Sequence, residues 1–164
     1  MRSLLFILIF QFSIFNFQLK AQHADCNNLL VLQDTVYIAK NISGFGQKQE
    51  FKDNDINDKY GFEEEANSIW YLIKIPANGK FTFEIIAQDE NDDWDFLLYE
   101  HLNLFCKRID SNKITPIRTN LSRSAMTGLS LTSNQEYSAA GLNDNYSQYV
   151  EVEKGDELVL IVNN

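Results

Sequence analysis

Histidine, cysteine and proline are scarce in this chain, which has two of each among its 164 residues. The chain also lacks the short patterns that mark a nucleophile elbow, a zinc-binding histidine pair, a phosphate loop or a dinucleotide site. His23 lies close to the N-terminus, and no residue near His101 in sequence would orient it as a catalytic base. We therefore predict that the protein is not an enzyme, and a secreted hydrolase is the weakest alternative.

Basic residues are also few, with 14 lysines and arginines against 23 aspartates and glutamates. The formal charge is −9, and it becomes −11 when Arg2 and Lys20 are removed with the N-terminal segment described below. Such a surface repels nucleic acid, which is bound through clustered Lys and Arg, and disfavours anionic membranes. It is compatible with cations, with neutral glycans or with a basic protein partner.

The one long apolar run is at the N-terminus, where Arg2 precedes a segment rich in Leu, Ile and Phe. That run has about 14 residues, which is too short for a membrane-spanning helix of about 20 residues. Residues 1–21 are therefore predicted to be a signal peptide cleaved after Ala21. This prediction places the protein outside the inner membrane, secreted or at the cell surface, with no membrane insertion after cleavage.

The remaining segment, 22–164, is long enough for one domain with a hydrophobic core. Its two cysteines, Cys26 and Cys106, leave two alternatives open. They form a disulfide, as cysteines often do in an oxidising compartment, or they are two separate buried thiols. The chain ends at V-L-I-V-N-N, directly after an apolar strand, so we expect a domain truncated at its C-terminal end.

Alternation of apolar and polar residues predicts strands rather than helices. Ser68–Ile75 and Lys80–Ala87 alternate with period two, and P-A-N-G between them predicts a hairpin. Asp95–Glu100 and Glu157–Val162 are apolar on both faces, which indicates central strands. Weaker strands are predicted at Thr35–Ala39, Ile114–Arg118, Gly128–Leu131 and Gln148–Glu153. The pattern predicts an all-β fold, an antiparallel, jelly-roll-like β-sandwich of about eight strands.

Several segments occur in an order that resembles a known module: S-I-W-Y-L-I-K-I, N-G-K-F-T-F-E-I, D-D-W-D-F-L-L-Y-E, P-I-R-T-N-L-S and K-G-D-E-L-V-L-I-V-N-N. From about residue 67 to 164 the chain is similar to β-sandwich modules of exported Gram-negative surface proteins and to the pre-peptidase C-terminal (PPC) jelly rolls. The resemblance implies a non-catalytic module for adhesion, anchoring or targeting. It departs at Thr119, where many such modules carry a cysteine, and at the C-terminus, where they continue with a closing strand.

The acidic stretch D-E-N-D-D-W-D, residues 89–95, runs directly into a predicted central strand. Ca²⁺ takes six to eight oxygen ligands, which Asp89, Asp92, Asp93 and Asp95 could supply in part, and some PPC-like modules bind this ion. Calcium is accordingly the one cofactor expected. The alternatives are an acidic turn whose side chains cap local amides, and an ion pair of Asp95 with Arg118 or Lys107.

Aromatic residues near predicted loops provide a second candidate site. Exposed Trp and Tyr rings can stack on sugar faces. They can equally pack beneath a loop, with only the polar end of the side chain in contact with water. The residues considered for stacking are Trp94, Tyr137, Tyr146 and Tyr149. They make a carbohydrate-binding module the main alternative function, with a cell-surface or extracellular glycan or protein as the partner.

Overall fold

The structure is a computed structural model that describes residues 23–51, 59–62, 64–141 and 143–164. The predicted signal peptide, 1–21, lies outside the described residues. In chain order the described elements are a 3-10 helix at Cys26–Asn28, then β1 (Leu30–Leu32), β2 (Ile69–Lys74), β3 (Gly79–Phe81), β4 (Phe83–Ile86), β5 (Asp95–Glu100), α1 (Phe105–Asp110), β6 (Arg118–Ser122), β7 (Met126–Ser130), β8 (Tyr137–Gly141), β9 (Tyr146–Gln148), β10 (Val150–Val152) and β11 (Glu157–Asn163).

The larger layer is a six-stranded sheet in the order β1-β2-β11-β5-β6-β8. Strands β5 and β11 lie inside it and pair antiparallel, with Leu98 opposite Leu160. Their side chains are buried along nearly the whole length of both strands. The prediction that these two apolar segments are central strands is therefore confirmed, because each needs cover on both of its faces.

The smaller layer packs on one face of this sheet and contains β3 paired with β10, and β4-β7-β9. Phe83 of β4 contacts Phe96 of β5 edge to face, with ring centroids 5.0 Å apart. Leu129 and Val152 also join the core between the layers, together with Leu98 and Leu160 of the large sheet. Apolar burial of this kind is the main favourable term that holds two sheets together.

The opposite face of the large sheet is covered by α1 and by the segments around Cys26 and Phe51. Trp70 is fully buried there and stacks on Phe51, with ring centroids 5.6 Å apart. Cys26 and Cys106 are joined by a disulfide with their Cα atoms 5.7 Å apart. The bond links the N-terminal segment to α1, so both faces of the central strands are enclosed.

The fold is an all-β sandwich, as predicted, but the direction, number and positions of its strands differ from the expected ones. The β1–β2, β6–β8 and β7–β9 pairs are parallel, so the sandwich is not wholly antiparallel. The described residues contain eleven strands rather than about eight, partly because single residues interrupt two long strands at Thr82 and Tyr149. Residues 35–39, predicted as a strand, form none.

The predicted β2–β3 hairpin is wrong. Strand β2 pairs with β1 and β11, and β3 pairs with β10 in the other layer. P-A-N-G crosses between the layers, and Asn78 Oδ1 accepts a hydrogen bond of 2.8 Å from Lys154 N. The two-sided apolar β2 gains more by lying beside β11 in the large sheet than by pairing with its sequence neighbour.

No helix in the described parts of the chain is long and apolar enough to cross a membrane.

Candidate functional site

The outward surface of the smaller layer brings together two of the four aromatic residues that the sequence nominated. We call this surface the outer aromatic face and define it by Lys80, Glu84, Tyr146 and Tyr149. Its members come from β3, β4 and the β9–β10 strand. Glu84 and Lys80 are exposed, and the two tyrosines are half-buried. The face therefore offers ring surface, a carboxylate and an ammonium group to solvent.

Tyr146 is positioned by the register of three neighbouring strands. Gly128 of β7 lies opposite Glu84 on one side and Tyr146 on the other. A Cβ atom on Gly128 would lie 2.1 Å from the carbonyl oxygen of Phe83, so only glycine allows this approach. The Tyr146 hydroxyl reaches across β7 and donates a hydrogen bond of 3.0 Å to Glu84 Oε1. Partial burial and, to a smaller extent, this bond to Glu84 raise the pKa of Tyr146.

Tyr149 lies where the chain passes from β9 to β10, beside Lys80. The Lys80 ammonium nitrogen is 4.2 Å from the centre of the Tyr149 ring, within the range of a cation–π contact. In the β3–β10 register Lys80 is also opposite Glu151. The ring is thus held by a contact on one of its sides, which limits the rotamers it can adopt.

Arg118 of β6 holds the β9–β10 junction from the other layer. Its guanidinium donates to the carbonyl oxygens of Gln148 and Tyr149 at 2.8 and 3.0 Å. A half-buried arginine that satisfies two carbonyl groups at a strand interruption fixes the backbone from which Tyr149 projects. Sequence reasoning considered Arg118 only as a partner of Asp95, because nothing local shows that 118 and 149 meet.

The other two nominated rings lie elsewhere. Trp94 is half-buried and packs against the core between the two layers. Tyr137 lies on β8 of the large sheet and contacts Tyr60, with ring centroids 5.0 Å apart. Tyr137 is 40% exposed, so it remains an accessible ring outside the outer aromatic face. The four residues do not form one stacking platform, and of the four only Tyr146 and Tyr149 belong to the outer aromatic face.

The acidic stretch forms a turn with internal hydrogen bonds. Asp89 Oδ1 accepts from the backbone and side-chain nitrogens of Asn91 at 2.9 and 2.8 Å. Asp93 Oδ1 accepts from Ser124 N at 3.0 Å. Asp92 N donates to the carbonyl oxygen of Asp89 at 3.1 Å, which closes the turn. These contacts are those of Asp residues that cap local amides.

Asp95 differs from its neighbours because it begins β5 and is half-buried. Its Oδ1 atom has no hydrogen-bond partner among the described residues. Burial, with a smaller effect of Asp93, raises the pKa of Asp95 to about 7. The alternative of an ion pair between Asp95 and Arg118 or Lys107 is wrong, because Asp95 forms no ion pair among the described residues. The Arg118 guanidinium instead binds the carbonyl groups of Gln148 and Tyr149 and lies 3.8 Å from Glu136.

Within the described stretches, no three His, Cys, Asp or Glu side chains lie close enough to hold a metal ion. A calcium site at 89–95 would have to include backbone carbonyl or amide oxygens, which this ion accepts. Calcium binding by Asp89, Asp92, Asp93 and Asp95 stays a prediction.

A pair of buried carboxyl groups, Glu50 and Glu65, was missed by sequence reasoning. Glu65 is 1% exposed and accepts hydrogen bonds from Trp70 Nε1 at 2.8 Å and from Glu50 N at 3.0 Å. Glu50 Oε1 accepts from Cys26 N at 3.1 Å. Acidic residues in a polar segment are normally solvated, so nothing in the local sequence predicts the burial of Glu65. Glu50 is 6% exposed, so both carboxyl groups lie in the interior.

Comparison with protein-family models, with curated proteins and with solved structures finds no match for this chain. The resemblance to PPC-like modules therefore remains a prediction from the quoted motifs, and the function has to be argued from the surfaces described above.

Proposed function

We propose that the protein is an exported, non-catalytic β-sandwich module that serves adhesion, anchoring or targeting at a cell surface. The observation that carries the proposal is the Cys26–Cys106 disulfide, because structural disulfides persist in oxidising compartments outside the cytosol. The negative net charge is compatible with a neutral glycan or a basic protein as the partner. The N-terminal segment predicted to direct export supports the same location.

We further propose that the outer aromatic face binds a neutral carbohydrate. Tyrosine rings offer an apolar surface for the C–H face of a sugar, and Glu84 and Lys80 provide an acceptor and a donor for its hydroxyl groups. Tyr146 and Glu84 already share a hydrogen bond, so this part of the face is held in place before a ligand arrives. The negative net charge favours neutral over anionic glycans.

Replacing Tyr149 tests this binding role. In affinity electrophoresis through gels that contain neutral polysaccharides, we expect Tyr149→Ala to weaken retention about 30-fold, because truncating a central aromatic residue typically costs about 2 kcal/mol or more. Tyr146→Phe keeps the ring and removes only the bond to Glu84, so a smaller loss is expected. Tyr137→Ala is the matched control, since it removes a partly exposed tyrosine from the other layer. Retention that survives Tyr149→Ala and disappears with Tyr137→Ala would contradict the proposal.

Calcium is proposed as a support for the 89–95 turn. We expect thermal melts in excess Ca²⁺ to lie several degrees above melts in chelator, because a ligand at about 100 times its Kd stabilises the folded state by about 2.7 kcal/mol. Asp92→Asn should abolish the difference, whereas Asp144→Asn, which alters an exposed carboxylate elsewhere, should leave it unchanged. Identical melts of the unaltered protein in both buffers would leave the turn with a capping role alone.

A further inference from the structure

The strand that runs from residue 79 to residue 86 lies at an edge of the smaller layer. Its first part, β3, pairs with β10, and its second part, β4, pairs with β7. In the order of strands each part is at the end of its sheet, so no second described strand pairs with either. An unpaired edge presents a row of backbone donors and acceptors that can template another strand.

The core side chains of this edge are incompletely covered. Phe81, Phe83 and Ile85 point into the core between the layers, but each is only half-buried. By contrast, Phe96 and Leu98 of β5, which contact the same core from the large sheet, are fully buried. The apolar surface left open along 81–85 would be covered by a further strand added to this edge.

The edges of the large sheet are less suited to strand addition. Strand β1 has three residues, and the β6–β8 pairing shifts register between Asn120 and Ser122. Short strands and irregular registers are the usual means by which proteins blunt an edge. The 79–86 edge is interrupted at Thr82, but neither of its two pairings shifts register, it has no proline, and its residues Phe, Thr and Ile favour strands.

We propose that the 79–86 edge pairs antiparallel with the same edge of a second copy of this chain, about a two-fold axis at Thr82. In that register Lys80 of each copy lies opposite Glu84 of the other, and Phe81 lies opposite Phe83. The edge is therefore complementary to itself in charge and in apolar surface, as a closed two-fold interface requires. A shift of the axis to Phe83 would place Lys80 opposite Ile86 and lose both ion pairs.

The dimer would extend the outer surface of the smaller layer across two copies. The tyrosine rings of the two outer aromatic faces would then lie on one side of the joined sheet, and a polysaccharide that contacts the rings of both copies would bind with higher avidity. This consequence rests on the proposed carbohydrate function, whereas the dimer itself does not.

A disulfide across the two-fold axis tests the register. Two Cα atoms directly opposite in an antiparallel pair lie about 4.5–5.5 Å apart, within the range that a disulfide spans. Thr82→Cys, exported, purified and briefly oxidised, should therefore give a covalent dimer that a reductant dissolves. Ile86→Cys is the matched control on the same strand, because two residues at position 86 would be separated by about 27 Å in this register. Efficient cross-linking through position 86 and none through position 82 would overturn the proposal.

Charge exchange tests the partner without any added cysteine. In sedimentation of the purified chain at physiological salt, Lys80→Glu and Glu84→Lys should each weaken the dimer about tenfold, since each makes both cross-strand pairs repulsive. The double variant Lys80→Glu/Glu84→Lys should restore it. Melting each variant shows whether the monomer stays folded, because Lys80 also faces Glu151 within the chain. A monomer at every concentration, or a double variant weaker than both single ones, would refute the self-pairing.

Discussion

Removing the Cys26–Cys106 disulfide should lower the free energy of unfolding by about 4 kcal/mol, as the chain-entropy model gives for a loop of this length. The two cysteines are 80 residues apart, and the loop between them includes strands β1 to β5. Without the bond the unfolded chain gains many more conformations, and the folded state becomes less favourable by comparison. A fall of about 10 °C or more in Tm is expected for a domain of this size.

The double variant Cys26→Ala/Cys106→Ala is the suitable test, because it leaves no unpaired thiol. Cys26 is buried in the core that α1 covers, and alanine leaves only a small cavity there. Denaturant melts of the variant and of the oxidised protein would give the difference directly. Reduction of the unaltered protein should produce a similar fall. Equal midpoints in all three samples would show that the link does not constrain the unfolded chain.

The second large effect concerns pH, because burial raises the pKa values of both carboxyl groups of the Glu50–Glu65 pair. Burial raises the pKa of Glu50 from 4.5 to about 8, and the Glu65 carboxyl and Asp25 add to the rise. Burial also raises the pKa of Glu65, although the bonds from Trp70 Nε1 and Glu50 N oppose the rise. Glu50 Oε2 has no hydrogen-bond partner among the described residues, which disfavours a charge on that oxygen. The neutral form of Glu50 is therefore the one that fits the core.

The direction of the pH effect follows from proton binding. A carboxyl with a raised pKa binds its proton more tightly in the folded protein than in the unfolded chain. Its stabilisation is complete below about pH 4.5 and is lost as the pH rises to about 8. Asp95, whose pKa is raised to about 7, contributes with the same sign. Asp89 and Glu157 have lowered pKa values, so their stabilisation is lost only towards acid pH.

Glu50→Gln tests this prediction because glutamine resembles the neutral carboxyl group and can still accept the bond from Cys26 N. Denaturant melts between pH 5 and 8 should show the unaltered protein losing stability as the pH rises, and the variant losing much less. Asp95→Asn should remove a further part of the slope, and the rest belongs to Glu65, whose pKa is also raised. Glu64→Gln is the matched control, since Glu64 is the exposed neighbour of Glu65. An unaltered protein that is equally stable at pH 5 and pH 8 would contradict the assignment.

The long apolar strands were predictable from local pattern, whereas β1 and β8 were not predicted and β6 begins at the last residue of the predicted strand 114–118. Asp95–Glu100 and Glu157–Val162 are apolar on both faces, and both occupy interior positions of the large sheet, because the pattern reflects burial on two sides. The order of strands was not predictable. P-A-N-G has the composition of a hairpin turn, but β11 occupies the side of β2 where β3 would have paired in a hairpin. The short helix Phe105–Asp110 was missed, since six residues are too few for helical periodicity to be visible.

Only part of the candidate site could be predicted from the sequence. Tyr146 and Tyr149 were nominated as loop aromatics, but Glu84, Lys80 and Gly128 were not connected with them. Their meeting depends on pairings between segments that are about 20 to 70 residues apart. The burial of Glu65 was equally unpredictable, because nothing in the local sequence distinguishes a buried glutamate in an acidic run from an exposed one.

The amino-acid sequence by itself determined the charge of this protein, its strand-forming segments and the two cysteines available for a disulfide. Each of these is a property of single residues or of their local alternation. The tertiary structure alone decided which strands are neighbours, that Glu50 and Glu65 share a buried site, and that Tyr146 reaches Glu84 across Gly128. Those outcomes depend on contacts between distant segments, where the burial of apolar surface outweighs the preference of each local turn.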